Sequence, residues 1–207
     1  MRGRFITLEG GEGVGKSTQL SALSTAISAR GHKVVTTREP GGSAGAEAIR
    51  ALLMSGAQDR WSARAEALLF AAARADHVEK LIRPALERGD WVLCDRFIDS
   101  TRAYQGGAGG IADDIILMLH VIGSEGLMPD RTLVLTLPIE EAQTRAKERD
   151  GGNSDRFGEK NNSYHQMVTD QFEELIRSFP DRMKNISARG SADDVTARLL
   201  AALDDLL

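Results

Sequence analysis

The stretch GGEGVGKST begins at Gly10 and directly follows the apolar run FITLE. The pattern G-x-x-x-x-G-K-[S/T], which needs a strand before it and a helix after it, is matched by Gly10, Gly15, Lys16 and Ser17. Its glycines let successive backbone N–H groups point into one concavity at a helix N-terminus, where an anion is favoured. The alternative is a glycine-rich turn that binds nothing. The strand-like run before the loop and the helical spacing after it favour phosphate binding.

The same loop predicts a nucleotide site with a metal beside it. Lys16 would reach the β- and γ-phosphates, and Ser17 would bind Mg²⁺. The predicted nucleotide-binding residues are Gly10, Gly11, Glu12, Gly13, Val14, Gly15, Lys16, Ser17 and Thr18. Asp95 ends the run WVLCD and would emerge at the carboxyl edge of a parallel sheet, beside the loop. Ser17 and Asp95 are therefore the predicted Mg²⁺ ligands, although Asp95 could simply terminate a strand.

Short apolar runs alternate with longer helical patterns along the chain, which predicts a parallel sheet covered on both faces. The predicted fold class is a three-layer α/β/α sandwich of the P-loop NTPase type, with about five strands in a single domain over residues 1–207. The strands are expected at residues 5–8, 34–37, 91–95, 131–137 and around MKNISA. The main helices are expected at residues 46–54, 63–86, 140–148 and 164–177, and around ILMLHVI. An apolar face of a last helix is expected from Val195, Leu199, Leu200, Leu203 and Leu206.

Composition limits the partners. The net charge of −4 argues against general nucleic-acid binding, so any phosphate site must be a local basic cluster. Cys94 is the single cysteine and cannot form an internal disulfide, which suits a reducing compartment. No apolar stretch approaches the ~18 residues that span a bilayer. These features predict a cytoplasmic protein without a membrane or nucleic-acid partner.

The residues around Asp95 separate the classes of protein that share the loop. The run that begins at Asp95 reads DRFI rather than DxxG, and no NKxD occurs later, which counts against a GTPase. No second acidic residue follows Asp95, which counts against motor ATPases. Arg96 follows instead, and a polar segment, KERDGGNSDRFGEKNNS, occurs later in the chain. This arrangement suits a kinase with one basic group for an acceptor phosphate and a lid over about residues 145–163 that excludes water.

Five blocks in order carry a family resemblance: FITLEGGEGVGKSTQ, TREPGG, LLFAAARADHV, VLCDRFIDSTRAYQGG and PDRTLVLTLP. Together they span most of the chain and resemble the bacterial thymidylate kinase family, of the type with lid arginines. The resemblance implies transfer of phosphate from ATP to dTMP to give dTDP and ADP, with Mg²⁺ and in a homodimer. It also implies that the acceptor site is formed by Glu12, Glu39, Pro40, Arg50, Phe70, Arg74, Arg96, Ser100, Tyr104 and Gln105.

Within that set, the resemblance places thymine on Phe70, the base edge at Arg74 and the dTMP phosphate at Arg96. Tyr104 is the expected barrier to a ribose 2′-OH, and Glu12 faces the acceptor sugar. From the residues alone other interpretations stay open. Phe70 suits core packing better than stacking, Arg74 could be a solvated surface charge, and Tyr104 could be structural.

The loop lacks an arginine beside Lys16, and family members of this type supply arginines from the lid. Here these are Arg145, Arg149 and Arg156, of which Arg149 is the first candidate for the transition-state contact and Arg156 the second. With Lys16 and Arg96, Arg149 and Arg156 complete the predicted catalytic set. The chain departs from the family in its extra GGNS and in reading DRFGE, which leaves open which arginine acts.

Two other functions remain at this stage. A deoxynucleoside kinase would need a carboxylate base for a neutral hydroxyl, and Glu39 could be assigned that role. A nucleotide-binding module without catalysis would use the loop alone, although the lid and acceptor blocks argue against it.

Overall fold

The structure is a computed structural model of the 207-residue chain. It describes residues 2–57, 59–150, 158 and 160–207, with the backbone alone for residues 149 and 150.

The described residues form five strands in one parallel sheet. The strands are β1 (Phe5–Glu9), β2 (Val34–Arg38), β3 (Trp91–Asp95), β4 (Arg131–Thr136) and β5 (Met183–Ser187). Their order is β2-β3-β1-β4-β5, and each neighbouring pair is parallel. The α-helices are α1 (Lys16–Ser28), α2 (Ala44–Met54), α3 (Ala63–His77), α4 (Arg83–Glu87), α5 (Ile98–Thr101), α6 (Asp113–Ser124), α7 (Ile139–Asp150), α8 (Asn162–Ser178) and α9 (Ala192–Ala201).

Alternation along the strands sends side chains into separate cores on the two faces of the sheet. Phe5 and Val92 pack on the face covered by the helical stretch that follows α3 and by α6. Ile6, Leu8 and Leu93 pack on the opposite face, which α1 and α9 cover. Because successive strand residues point to opposite faces, both sides of the sheet must be covered. The predicted three-layer α/β/α fold class is confirmed.

The predicted helix over residues 63–86 is interrupted. α3 ends at His77, a π-helical segment covers Val78–Ile82, and α4 follows without a gap in the helical path. Pro84 lies in the first turn of α4. Since proline has no N–H, it cannot make the usual bond to the preceding turn, and the wider π geometry lies where that bond is missing.

The predicted apolar face of the last helix extends beyond the helix itself. α9 ends at Ala201, so Leu203 and Leu206 lie in the turn after it. Leu203 is nevertheless fully buried in the same core as Val195 and Leu199. The prediction of a helix through Leu206 was therefore wrong, although the residues pack as expected.

One helical stretch was not predicted. Residues 98–108 form α5 followed by a π-helical segment, Arg102–Ala108, which the glycines of RAYQGGAGG obscure in the sequence. Asp99 connects this stretch to β4 and to the residue before β5. It accepts hydrogen bonds from Arg182 (2.6 and 2.9 Å) and Thr132 (3.0 Å). Burial alone would raise the pKa of Asp99, but the hydrogen bonds and charge of Arg182 hold it below its ordinary value.

The fold also bears on the membrane prediction. In the part of the chain that the structure describes, every helix is too short or too polar to cross a bilayer.

Candidate active site

The glycine-rich loop joins β1 to α1, with its last glycine at the start of the helix. Gly10 has φ 125° and Gly13 has φ 72°, and both values favour glycine. A side chain at Gly10 would overlap the carbonyl of Leu135 on β4, and one at Gly13 would overlap that of Ala142 on α7. The glycines therefore serve both the turn and its close packing against neighbouring elements. Val14 packs into the core and is 4% exposed.

Lys16 folds back over this loop. Its Nζ donates to the carbonyl oxygens of Gly10 (3.2 Å) and Gly11 (2.6 Å). Burial and the nearby charge of Arg96 lower the pKa of Lys16 to about 8. A cation at the mouth of a loop of backbone N–H donors suits a polyphosphate. The negative charge of the polyphosphate would offset the burial of Lys16 and its repulsion by Arg96.

Ser17 and Asp95 meet where the sequence predicted a metal. Ser17 Oγ donates to Asp95 Oδ2 at 3.0 Å, although the two residues are 78 positions apart. The register of β1 against β3 causes the meeting, because Leu8 pairs with Asp95 at the carboxyl edge of the sheet. Among the described residues there is no group of three or more His, Cys, Asp or Glu side chains that could hold a metal. The Ser17–Asp95 pair suits Mg²⁺, which usually keeps several waters and substrate oxygens as ligands.

Arg96 is held in the strained turn after β3. Its φ of 69° lies in the left-handed region that non-glycine residues rarely adopt. Its guanidinium donates to the Gly10 carbonyl (2.9 Å), Ser100 Oγ (3.2 Å) and Glu12 Oε1 (2.9 Å). The predicted phosphate contact therefore joins the glycine-rich loop to the acceptor side. It is paired with Glu12, which was predicted to face the acceptor sugar.

Glu9, at the end of β1, supports that turn. Its carboxyl group is fully buried and accepts hydrogen bonds from Phe97 N (2.7 Å) and Ser100 Oγ (2.5 Å). Burial, followed by the charge of Asp99, raises the pKa of Glu9 to about 8. Glu9 thus holds Phe97 and Ser100, which follow Arg96 in the turn, with little exposure to water to weaken the bonds.

Arg74 is buried, which excludes the interpretation of a solvated surface charge. It is 3% exposed, and its Nε donates to Glu39 Oε2 at 2.7 Å. Its Nη2 donates to Thr101 Oγ1 at 2.8 Å. The other oxygen of Glu39 lies 3.1 Å from His77 Nδ1, and His77 Nε2 lies 2.7 Å from Thr37 Oγ1. This chain of buried polar groups fixes the plane of the guanidinium.

A cavity of about 420 Å³ opens beside the glycine-rich loop. It brings together all ten predicted acceptor residues: Glu12, Glu39, Pro40, Arg50, Phe70, Arg74, Arg96, Ser100, Tyr104 and Gln105. Lys16, Ser17 and Asp95 line the same cavity. The residues predicted to bind the phosphoryl donor, the metal and the phosphoryl acceptor are thus adjacent. The cavity that they share has the size expected for a small ligand.

The remaining acceptor residues also have defined partners. Arg50 donates to the Pro40 carbonyl at 2.8 Å. Phe70 is partly buried against the core and also borders the cavity, so packing and stacking do not exclude each other. The Tyr104 ring lies 5.0 Å from the guanidinium of Arg96, and burial raises the pKa of its phenol to about 12. Gln105 donates to Glu66 of α3.

The lid arginines are only partly visible. The first part of the predicted lid belongs to α7, where Arg145 donates to the Ala188 carbonyl at 3.3 Å. The side chain of Arg149 and the whole of Arg156 lie outside the described residues. A second cavity, also about 420 Å³, lies between the glycine-rich loop, α7 and α8.

Sequence reasoning missed several contributing residues. Thr101 and Arg38 line the cavity itself. Three further residues bind groups that border it: Glu9 binds Phe97 N, Glu66 binds Gln105 and His77 binds Glu39. A signal existed for Glu66, because it precedes Phe70 and Arg74 at four-residue spacing on α3. Glu9 gave a weaker signal, as an acidic residue ending an apolar strand.

We expect Glu9→Gln to change how stability depends on pH. The folded state keeps a proton on Glu9 up to about pH 8, whereas the ordinary pKa is 4.5. The folded state therefore binds more protons between these values, so this group's stabilising contribution falls as pH rises through the window. Glutamine does not titrate, so the variant lacks this pH-dependent contribution. The decline in its unfolding free energy from pH 5.5 to 8 should therefore be smaller than that of the wild type by about 1–3 kcal/mol.

Urea unfolding at both pH values measures this, with Glu79→Gln, an exposed change in the π-helical segment, as the control. Equal declines in wild type and Glu9→Gln would contradict the raised pKa.

Comparisons with known proteins agree with this geometry. A family model described as thymidylate kinase matches residues 8–199. A thymidylate kinase of Rhizorhabdus wittichii is 61% identical over 207 residues, covering 100% of both chains. One from Caulobacter vibrioides is 50% identical over 200 residues, covering 96% of this chain and 94% of the relative.

The fold is similar to a solved structure as well. The crystal structure of thymidylate kinase from Ehrlichia chaffeensis has a TM-score of 0.79 and 30% identity, covering 98% of this chain and 100% of that one. The resemblance inferred from the five sequence blocks is thereby confirmed, and the chain belongs to the thymidylate kinase family.

Proposed function

We propose that this protein transfers the γ-phosphoryl group of ATP to dTMP, giving ADP and dTDP for the synthesis of dTTP. Family membership over nearly the whole chain makes it a nucleoside monophosphate kinase that uses ATP. The observation that carries the choice of acceptor is the single cavity in which Phe70, Arg74 and Arg96 lie beside Lys16. A flat ring, a fixed guanidinium and a second cation match a base and a phosphate.

The transfer proceeds directly, in line, from ATP to an oxygen of the dTMP phosphate. That oxygen is already anionic, so the reaction needs no strong general base. Glu39 is unsuited to such a role because its oxygens are bonded to Arg74 and His77. This arrangement favours a nucleotide acceptor over a nucleoside. Lys16 and Arg96 bind and orient the phosphates, and their charges favour the transition state.

Mg²⁺ is part of the proposal, with Ser17 and Asp95 as the residues that would hold it. The support is the 3.0 Å contact between two hard oxygen ligands beside the phosphate loop. When bound, Mg²⁺ neutralises charge on the phosphates. A single kinase domain, a lid over about residues 145–163 and a cytoplasmic location also remain predictions.

We expect ADP release to be strongest with dTMP. The assay supplies ATP, Mg²⁺ and, separately, dTMP, dUMP, thymidine, AMP, CMP or GMP. Some dUMP activity is expected, because a methyl group is worth only ~1–3 kcal/mol. Lys16→Met controls for contaminating kinases, and EDTA tests the need for Mg²⁺. Turnover of thymidine but not dTMP would indicate a nucleoside kinase, and ATP binding without turnover of any acceptor would indicate a binding module.

Arg149→Ala should lower kcat by about 100-fold or more, because the glycine-rich loop has no arginine of its own to meet charge on the moving phosphoryl group. KM for dTMP should change much less, since a contact made in the transition state affects kcat. Arg177→Ala is the matched control, as this arginine of α8 is 66% exposed and pairs with Glu174. A large loss in Arg156→Ala with none in Arg149→Ala would reverse the order of the two candidates.

A homodimer is the last part of the proposal, and an exposed apolar face supports it. α6 exposes Ile115, Met118, Val121 and Ile122, and α3, which packs beside it, exposes Leu68. Met118 and Ile122 are 62% and 75% exposed, and such a patch on a folded protein usually marks an interface. A second copy can cover it by presenting the same face.

We expect light scattering to give twice the chain mass of 22.4 kDa, and Met118→Glu with Ile122→Glu to give the single mass. Met167→Glu on α8, also an exposed apolar residue, should leave the mass unchanged. A wild-type monomer at micromolar concentration would refute the proposed dimer.

A further inference from the structure

One side of the acceptor cavity is built on a single face of α3. Glu66, Phe70 and Arg74 follow one another at four-residue spacing, so their side chains lie along one line of the helix. Phe70 and Arg74 border the cavity, together with Gln105 of the π-helical segment after α5. Glu66 is buried behind them, and the proposed function gives it no role.

Glu66 binds the carboxamide of Gln105. Gln105 Nε2 lies 3.3 Å from Glu66 Oε2, and both residues are less than one-tenth exposed. A carboxylate has only acceptor oxygens, so the NH₂ end of Gln105 must face Glu66. The carbonyl oxygen, Oε1, then lies at the opposite edge of the planar carboxamide. Among the described residues this oxygen forms no hydrogen bond. It is also absent from the buried side-chain atoms that lack a partner, so it is accessible from the cavity side.

Arg74 is oriented in the complementary sense. Glu39 and Thr101 hold its Nε and Nη2, so a ligand in the cavity meets a guanidinium that can only donate. The two buried carboxylates, Glu39 and Glu66, thus give the cavity one fixed donor and one fixed acceptor. Reversal of the Gln105 carboxamide would replace that acceptor with a second donor.

We infer that Glu66 is a positioning residue that selects pyrimidines with an N3–H, by holding the Gln105 carbonyl oxygen toward the base. The inference rests on the proposed function. Thymine and uracil present a donor at N3 beside a carbonyl at position 4, which matches one acceptor and one donor. Cytosine presents an acceptor at N3 and an amino group at position 4, so both contacts would be mismatched. A site with fixed buried polar groups rejects such a mismatch strongly.

Glu66→Gln tests this with little change of shape. An amide at position 66 can accept or donate, so the Gln105 carboxamide is free to turn over. We expect the ratio of kcat/KM for dUMP to that for dCMP to fall by about 10-fold or more. The ratio for dTMP to dUMP should stay unchanged, because it reports only the methyl group.

A swap provides the second test. In the double variant Glu66→Gln, Gln105→Glu, the amide at position 66 can donate to a carboxylate at position 105, which again offers only acceptors. The dUMP-to-dCMP ratio should recover toward the wild-type value. Glu79→Gln, an exposed change on the segment that continues α3, serves as the matched control, and thermal melting verifies that each variant is folded.

Two results would overturn the inference. One is an unchanged dUMP-to-dCMP ratio in Glu66→Gln. The other is an equal fall in both ratios, which would indicate a loosened cavity rather than a lost hydrogen-bond direction. A wild-type enzyme with no preference for dTMP would overturn the proposed function together with this inference, and that result is visible before any variant is made.

Discussion

The acceptor side of this site depends on a buried carboxyl group, that of Glu9, at the end of the central strand. Glu9 accepts hydrogen bonds from Phe97 N and Ser100 Oγ, two residues that follow Arg96 in the chain, and Ser100 Oγ also accepts a hydrogen bond from Arg96. Those bonds hold a turn in which Arg96 adopts a left-handed backbone. β1 then continues into the glycine-rich loop, and Arg96 donates back to Gly10. The glycine-rich loop and the predicted phosphoryl-acceptor side are therefore connected through the end of one strand. The low dielectric there strengthens each hydrogen bond.

Buried glutamates recur around the cavity in one physical role. Glu9 orients the Arg96 turn, Glu39 orients Arg74, and Glu66 orients Gln105. Each is less than one-tenth exposed, and each has a donor that would be costly to leave unpaired. A side chain held in this way loses little freedom when a ligand binds, so more of the interaction energy remains for recognition. The site is rigid on the acceptor side because its polar residues are bonded before the substrate arrives.

Much of this arrangement could be predicted along the chain. The glycine-rich loop, the strand ending at Asp95 and the alternating apolar runs are local patterns, and they predicted the sheet and the position of the loop between a strand and a helix correctly. The supporting residues could not be found in this way. Glu9 meets Ser100 across 91 positions, and Gln105 meets Glu66 across 39. No local spacing indicates such pairs. The helical stretch over residues 98–108 was missed for a related reason, since Asp99 within it binds Arg182, which lies 83 positions away in the chain.

By itself the sequence determined the class of the protein. A glycine-rich loop between a strand and a helix can form in few folds, because its backbone must curl and its glycines must take positive φ values. Only the tertiary structure decided which partners each charged side chain contacts. Arg74 and Phe70 had two interpretations each, and the answer lay in which elements pack over α3. Burial and hydrogen bonding depend on residues distant in sequence, whereas periodicity and turn geometry depend on neighbours. Local order is therefore readable from the chain, and the orientation of buried polar groups is settled only when the sheet and helices close around them.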